Sequence, residues 1–227
     1  MEHKKNNVCF TLGGATLEAR TSGALWWPDR RVLTVSDLHL GKSERIARLG
    51  GAMLPPYETE DTLTRLEDEV TALEPETVVC LGDSFDDQAV AKRLADEAVL
   101  WLGRLMAGRR WIWIAGNHDP GPVELGGTHL SEWPDLPLVF RHIACAGASG
   151  EVSGHYHPKA VVNARGRQMS RPCFLYDSDR VILPAFGTYT GGLRSTAQVL
   201  SELMRPEALA ILTGPVPAVI PMPGRLV

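Results

Sequence analysis

Five short segments of the chain carry residue types able to hold divalent metal ions. They are Ser36-Asp37-Leu38-His39, Gly82-Asp83, Gly116-Asn117-His118-Asp119, His142, and Gly154-His155-Tyr156-His157. Asp37 and His39 stand two residues apart, so in an extended segment they point to the same side. His155 and His157 repeat that spacing. A glycine before Asp83 lets the backbone turn sharply and present the carboxylate. Asn117, again after a glycine, offers a neutral carbonyl oxygen. Nitrogen and oxygen donors without thiolate favour manganese, iron or zinc over a soft-metal site. Five of the seven histidines fall in these segments. An isolated Asp or His after a strand is ordinarily a cap or a turn residue, so each short pattern is weak by itself. Their order and co-occurrence carry the reading, with His142 resting only on its place between Asn117 and His155.

Each segment follows an apolar run that reads as a strand, and strand ends in open α/β sheets converge on one rim where ligands bind. The pattern predicts strands at Val8–Leu12 and Thr16–Ala19 around a Gly13-Gly14 turn, then at Gly23–Trp27 and Arg31–Ser36. A helix over Glu58–Leu73 carries Leu63, Leu66, Val70 and Leu73 on one stripe. Thr77–Leu81 and Trp111–Ala115 are continuous apolar runs, separated by a predicted helix over Gln88–Ala107. Strands follow at Leu138–Ala144 and Glu151–Gly154, short strands between Val161 and Phe186, a helix at Leu193–Met204 and a strand at Leu209–Thr213. Strands alternating with helices imply an α/β protein with a covered sheet. With no repeat and no linker, residues 1–227 are expected to form a single domain.

The 227 residues are 44% hydrophobic and 22% charged, an ordinary globular balance, and no apolar run reaches the roughly 20 residues that span a bilayer. Cys9, Cys80, Cys145 and Cys173 form no C-x-x-C pair, which argues against a zinc knuckle or a redox motif and for reduced thiols in the cytoplasm. The formal net charge of −4 is not that of a basic nucleic-acid binder. Two bound divalent cations would reverse the local sign where a phosphate must sit.

This set of segments resembles the calcineurin-like metallophosphoesterase superfamily, from about Arg31 to Phe186. The resemblance implies a two-sheet β-sandwich flanked by helices, with a dinuclear metal site at the carboxyl ends of the strands. It implies that Asp37, His39 and His157 bind one ion, that Asn117, His142 and His155 bind the other, and that Asp83 bridges them. It makes His118 a non-ligand that contacts substrate and protonates the leaving oxygen, and makes Asp86 the partner that fixes its tautomer. Two cations about 3.5–4 Å apart suit in-line displacement at phosphorus by activated water.

A narrower resemblance runs through Asp37-Leu38-His39-Leu40-Gly41-Lys42, Gly51 to Pro55, Gly82-Asp83-Ser84-Phe85, Gly154-His155-Tyr156-His157-Pro158 and Pro184 to Gly192. These are similar to the ligase-associated DNA damage response endonucleases. That family implies a manganese-dependent endonuclease acting in DNA repair, functionally associated with a DNA ligase and a helicase. Relatives often carry His where this chain has Asp86. Lys42, Arg45, Lys159 and Tyr156 lie nearest the motifs and are the expected substrate contacts, gripping the DNA phosphate backbone without reading bases. Arg141, Arg165, Arg167, Arg171 and Arg194 add positive charge, and Tyr189 sits in a glycine-rich loop that can reach substrate. Two other readings stand beside this one: hydrolysis of a small nucleotide or lipid phosphoester, and a non-catalytic scaffold, which would be expected to have lost ligands.

Overall fold

The computed structural model describes residues 7–51, 55, 57–87, 90, 93–121, 125–164 and 166–223. Two β-sheets pack face to face, and a helical layer covers the outer face of each. The first sheet runs in sequence order: β1 (Val8–Leu12), β2 (Ala15–Ala19), β3 (Leu25–Trp27), β4 (Val32–Val35), β5 (Thr77–Leu81), β6 (Arg110–Ile114) and β7 (Thr128–Leu130). Its first four strands form an antiparallel meander, and β4 to β7 are parallel. The second sheet contains β8 (Glu132–Asp135), β9 (Leu138–Arg141), β10 (Glu151–Ser153), β11 (Lys159–Ala164), β12 (Arg167–Tyr176), β13 (Arg180–Ile182), β14 (Leu209–Leu212) and β15 (Ala218–Pro221). Its order is β15-β14-β12-β13-β10-β9-β8, with β11 pairing to β12 as a ribbon, and β9, β10 and β13 are parallel.

The two-residue alternation of strands sorts side chains into three layers. Val79, Leu81, Ile112 and Ile114 point into the space between the sheets and meet Phe140, Val152, Phe174 and Ile211. Their neighbours Val78, Cys80, Trp111 and Trp113 point outward. They pack on α2 (Glu58–Leu73) and α3 (Asp96–Met106) through Leu63, Leu66, Val70, Leu102 and Leu105. The outer face of the second sheet, with Cys173, Leu175, Ile182 and Ala210, packs on Leu200 of α4 (Gln198–Leu203). Cys80 and Cys173 are buried thiols, with burial pushing Cys173 up to about 12, and Cys9 and Cys145 are free and exposed.

Two predicted helices are shorter than expected. The helix read over Gln88–Ala107 is interrupted: Val90 is helical, residues 93–95 are not, and the long helix α3 begins at Asp96. Ala95 is extended at its N-cap, and Asp96 and Glu97 supply first-turn acids that suit the positive end of the helix dipole; residues 88, 89, 91 and 92 lie outside the described residues. The helix read from Leu193 begins only at Gln198, because residues 193–195 hydrogen-bond to the start of β11: Lys159 N donates to Leu193 O and Ser195 N to Lys159 O. One helix, α1 (Lys42–Arg48), has no apolar stripe and left no period in the sequence. Among the described residues no helix is long and apolar enough to cross a membrane.

Candidate metal centre

All five segments begin where a parallel strand of either sheet ends. Strands β4, β5 and β6 deliver Asp37 and His39, Asp83, and Asn117 to Asp119. Strands β9 and β10 deliver His142 and the pair His155 and His157. The segments are not extended as the i, i+2 spacing suggests. Asp37, His39, Asp83, His155 and His157 all have left-handed backbone, with φ of 54°, 46°, 44°, 71° and 45°. The turns are held by bonds between loops: Asp37 N donates to Gly82 O at 3.3 Å, and His39 N donates to Asp83 O at 2.9 Å. Such backbone is costly for non-glycine residues and persists only where the surroundings over-determine it. Gly82, at φ 73°, serves close approach as well as turning, because a Cβ there would lie 2.5 Å from the His142 ring.

The side chains form two adjoining groups. In the first, ligand atoms of Asp37, His39 and His157 lie within 4.8 Å of one another, with His157 Nε2 3.0 Å from Asp37 Oδ1. In the second, Asp83, His142 and His155 do the same. His142 Nε2 stands 3.3 Å from Asp83 Oδ2, 3.2 Å from His155 Nδ1 and 3.0 Å from Asn117 Oδ1. The 4.0 Å approach of His142 Nδ1 to Asp37 Oδ1 joins the groups. Asp37 and Asp83 are buried, and the histidines set their ionisation. Burial pushes the Asp83 carboxyl up, but His142 and the His118 N–H outweigh it and hold it at about 2. Asp37 is likewise lowered against its burial, chiefly by His157.

The donors fit divalent cations. His142 Nδ1 faces the Leu81 carbonyl at 2.7 Å and must donate to it, so the deprotonated ring that metal ligation requires would turn its Nε2 lone pair toward Asn117, Asp83 and His155. Four potential donor atoms, His142 Nε2, Asn117 Oδ1, Asp83 Oδ2 and His155 Nδ1, thus converge on one spot. In the first group Asp37 Oδ1 and His157 Nε2 are buried and face each other at 3.0 Å without hydrogen-bond geometry, whereas Asp37 Oδ2 is satisfied by the Ser36 hydroxyl and the His155 N–H. Buried polar atoms left in this way are expensive unless a cation completes them.

Asp86 meets His118, the neighbour expected, through its main chain and turns its carboxylate to a different one. The His118 ring donates from Nδ1 to the Asp86 main-chain carbonyl at 2.9 Å, not to its carboxylate. The carboxylate is buried behind His39, with Oδ1 2.9 Å from His39 Nδ1. Arg45 Nη1 stands 3.0 Å from Oδ2 and Lys42 Nζ 3.7 Å from Oδ1. Burial raises the Asp86 carboxyl, and His39, Lys42 and Arg45 more than offset this, leaving it at about 2.

The expected substrate contacts are largely engaged inside the protein. Lys42 and Arg45 neutralise Asp86, and Lys159 donates to the Thr190 carbonyl at 3.0 Å. Tyr156 is not at the surface: its ring is buried in the layer beneath the second sheet, edge-on to His155 at 4.9 Å. Arg141 pairs with Glu132 and Glu151, and Arg171 donates to the carbonyls of Thr213 and Val216. Arg165 lies outside the described residues.

One residue without an assigned role proves central. Asp119 accepts four main-chain N–H bonds: Oδ1 from Asp83 and Gly116 at 2.9 and 3.1 Å, Oδ2 from Ser84 and Phe85 at 2.8 and 3.2 Å. It clasps the Asp83 loop to the Asn117 loop. Its place at the end of the Gly-Asn-His-Asp segment was the only trace of this in the sequence.

A family model for calcineurin-like phosphoesterase matches residues 30–181, a span that contains all five segments. The chain belongs to that family, whose members are metal-dependent phosphoesterases. Among solved structures, Pseudomonas putida nuclease MPE matches with a TM-score of 0.72 at 28% identity, over 94% of this chain and 100% of that one. Among curated proteins, fumarate hydratase class II of Parasynechococcus marenigrum (strain WH8102) is 30% identical over 81 residues. That is 36% of this chain and only 17% of the hydratase. So short a share of that enzyme gives no support for a hydratase.

Proposed function

We propose that this chain is a two-metal phosphodiesterase that cleaves DNA internally. The observation that carries the substrate class is the likeness to a nuclease along the whole length of that protein. Asp37, His39 and His157 are assigned to one ion, Asn117, His142 and His155 to the other, and Asp83 to the position between them. Two divalent ions held by these residues would supply Lewis acidity and an activated water. Manganese is the preferred ion and iron or zinc the alternatives, given nitrogen and oxygen donors without thiolate.

The protein's own groups orient and move protons. Asp83 Oδ1 accepts the His118 N–H at 2.8 Å, which fixes the backbone from which the His118 ring projects. The ring commits Nδ1 to the Asp86 carbonyl, so Nε2 is the atom left to hold the proton for the leaving oxygen. Base-blind gripping of the phosphate backbone suits a role in DNA repair in the cytoplasm, in functional association with a ligase and a helicase. The test is hydrolysis of DNA, RNA and bis(p-nitrophenyl) phosphate side by side with manganese, magnesium or zinc. Manganese-dependent nicking of DNA is expected. Metal-replete protein that hydrolyses the small diester but leaves DNA intact would return the substrate to a small phosphoester, and inactivity on all would favour the scaffold.

A further inference from the structure

Among the described residues, eight non-glycine positions have left-handed backbone. Five are among the seven candidate ligands: Asp37, His39, Asp83, His155 and His157. Arg31 and Glu74 are helix C-caps, where that conformation is ordinary. The eighth is Tyr189, at φ 59°, which has neither role. A bulky residue is held there only when its surroundings impose it, and such residues gather at active sites and ligand clamps.

The surroundings of Tyr189 do impose it. Its loop leaves β13 and passes between the first and last metal segments. Phe186 N donates to Ser36 O at 2.8 Å and Gly187 N to Asp37 O at 3.1 Å; at the other end Leu193 N donates to Tyr156 O at 3.1 Å. The approach is close enough that a Cβ on Gly187 would lie 2.1 Å from Leu38 O, and one on Gly192 2.1 Å from His157 O. Helix α2 holds the loop from outside. Arg65 donates to Phe186 O at 2.6 Å, Thr188 N donates to the Thr62 hydroxyl at 3.1 Å, and the Thr188 hydroxyl bonds Asp61. Lys159 secures Thr190. Tyr189 is therefore the clamped tip of a loop beside Asp37 and His157.

Its ring lies 5.9 Å from that of Tyr57, tilted by 54°, and Tyr57 is 54% exposed. Tyr189 is half-buried with its hydroxyl inside, and neither ring belongs to the three packed layers. Nearby, α1 brings Lys42 and Arg45 and is tied to α2 through Ser43 N and Glu58 Oε1 at 3.1 Å. A phosphate ester bound at the candidate metal centre would lie beside this loop, whose Gly187 N bonds Asp37 O and whose Gly192 packs on His157 O.

We propose that Tyr189, supported by Tyr57, is a stacking site for a nucleobase next to the phosphate held at the metal centre. This rests on the reading of nucleic acid as substrate. Stacking is indifferent to base identity, because every base has a π-face, so the site accepts any sequence while rejecting diesters without bases.

The test compares two single-bond substrates with manganese: thymidylyl-thymidine, and the same diester with both bases removed from their sugars. Wild-type protein is expected to favour the base-bearing compound in kcat/KM by about 5- to 150-fold, the effect of one stacked base, mostly through KM. Tyr189→Phe should keep that ratio, and Tyr189→Leu should bring it toward one. Tyr57→Leu, at an exposed position, should lower it in part and guards against a misfolded Tyr189→Leu. A wild-type ratio near one, with both compounds cleaved, would overturn the stacking site and leave the phosphodiesterase reading standing. So would a high ratio unchanged in both leucine variants. Turnover of bis(p-nitrophenyl) phosphate with neither dinucleoside compound cleaved would sink the nucleic-acid reading and this site with it.

Discussion

Replacing Asp119 with asparagine tests whether one carboxylate holds the metal centre's loops together. Its two oxygens each accept two main-chain N–H groups, and the residue is only 6% exposed. An asparagine side chain has one acceptor oxygen and one NH2 group. Whichever way it turns, the NH2 faces two N–H donors that then have no acceptor. Hydrogen bonds to a charged group contribute about 1.5–3 kcal/mol each, so the loss is about 3–6 kcal/mol. Part of this is recovered. Burial and the nearby Asp83 carboxylate push Asp119 up to about 6 against its N–H donors. Relative to an ordinary aspartate near 3.8, that costs about 3 kcal/mol at neutral pH, since each unit is about 1.4 kcal/mol. The net destabilisation of the metal-free protein is about 0–3 kcal/mol, at most about 12 °C in Tm for a chain of this size. Urea and thermal denaturation in a chelator measure it. Because the freed loops carry Asp83 and Asn117, manganese affinity by calorimetry should fall as well. A variant with unchanged stability and unchanged metal affinity would refute the clasp.

Asp86→Asn should weaken manganese binding about 10- to 100-fold, the usual cost of losing a carboxylate behind a ligating histidine; unchanged affinity would mean that the Asp86–His39 contact orients nothing. His118→Ala should keep its metal stoichiometry while turnover falls about 10²–10⁴-fold, and loss of metal would show it to be a ligand. Glu151 is raised above the usual carboxylate range, first by burial, with Arg180, Arg141 and the Cys145 N–H only partly offsetting it. A raised carboxyl contributes stability that is fully present below its unfolded value, about 4.3, and is lost as pH rises through its folded value. The stability difference between wild type and Glu151→Gln should therefore shrink as pH rises across that window, followed by urea denaturation at fixed temperature; a widening difference would mean that the arginines win.

The parts of the fold legible in the sequence are those with a strong period or a continuous apolar run. The Glu58–Leu73 helix shows its stripe, and Thr77–Leu81 is apolar on both sides because it faces helices outward and the second sheet inward. Helix α1 has no such stripe: it is held by Glu58 capping Ser43 and by Arg45 and Lys42 on Asp86, which are contacts between distant residues. Strands β7 and β8 are three and four residues long, too short to impose a period. The gathering of candidate ligands was legible because each is anchored to a strand end, so the topology brings them together. Second contacts were not. Nothing in the order of residues tells whether Asp86 turns its carboxylate to His118 or to His39, since that depends on where α1 puts its cations.

The left-handed backbone at the candidate ligands links these two cases. A strand that simply continued would send Asp37 and His39 along the sheet direction, away from the rim. The turn at each strand end folds both back so that their donors fall within 4.8 Å of His157. That turn is unfavourable for Asp and His individually, and bonds made between loops sustain it: Asp37 N to Gly82 O, His39 N to Asp83 O, and the Asp119 carboxylate across Asp83, Ser84, Phe85 and Gly116. The donor array is thus held by the backbone network as much as by any ion. Tyr189 shares the same backbone state, at φ 59°, on the loop that hydrogen-bonds to Asp37, and that loop is sustained in the same way, by bonds to Ser36, Asp37 and Tyr156.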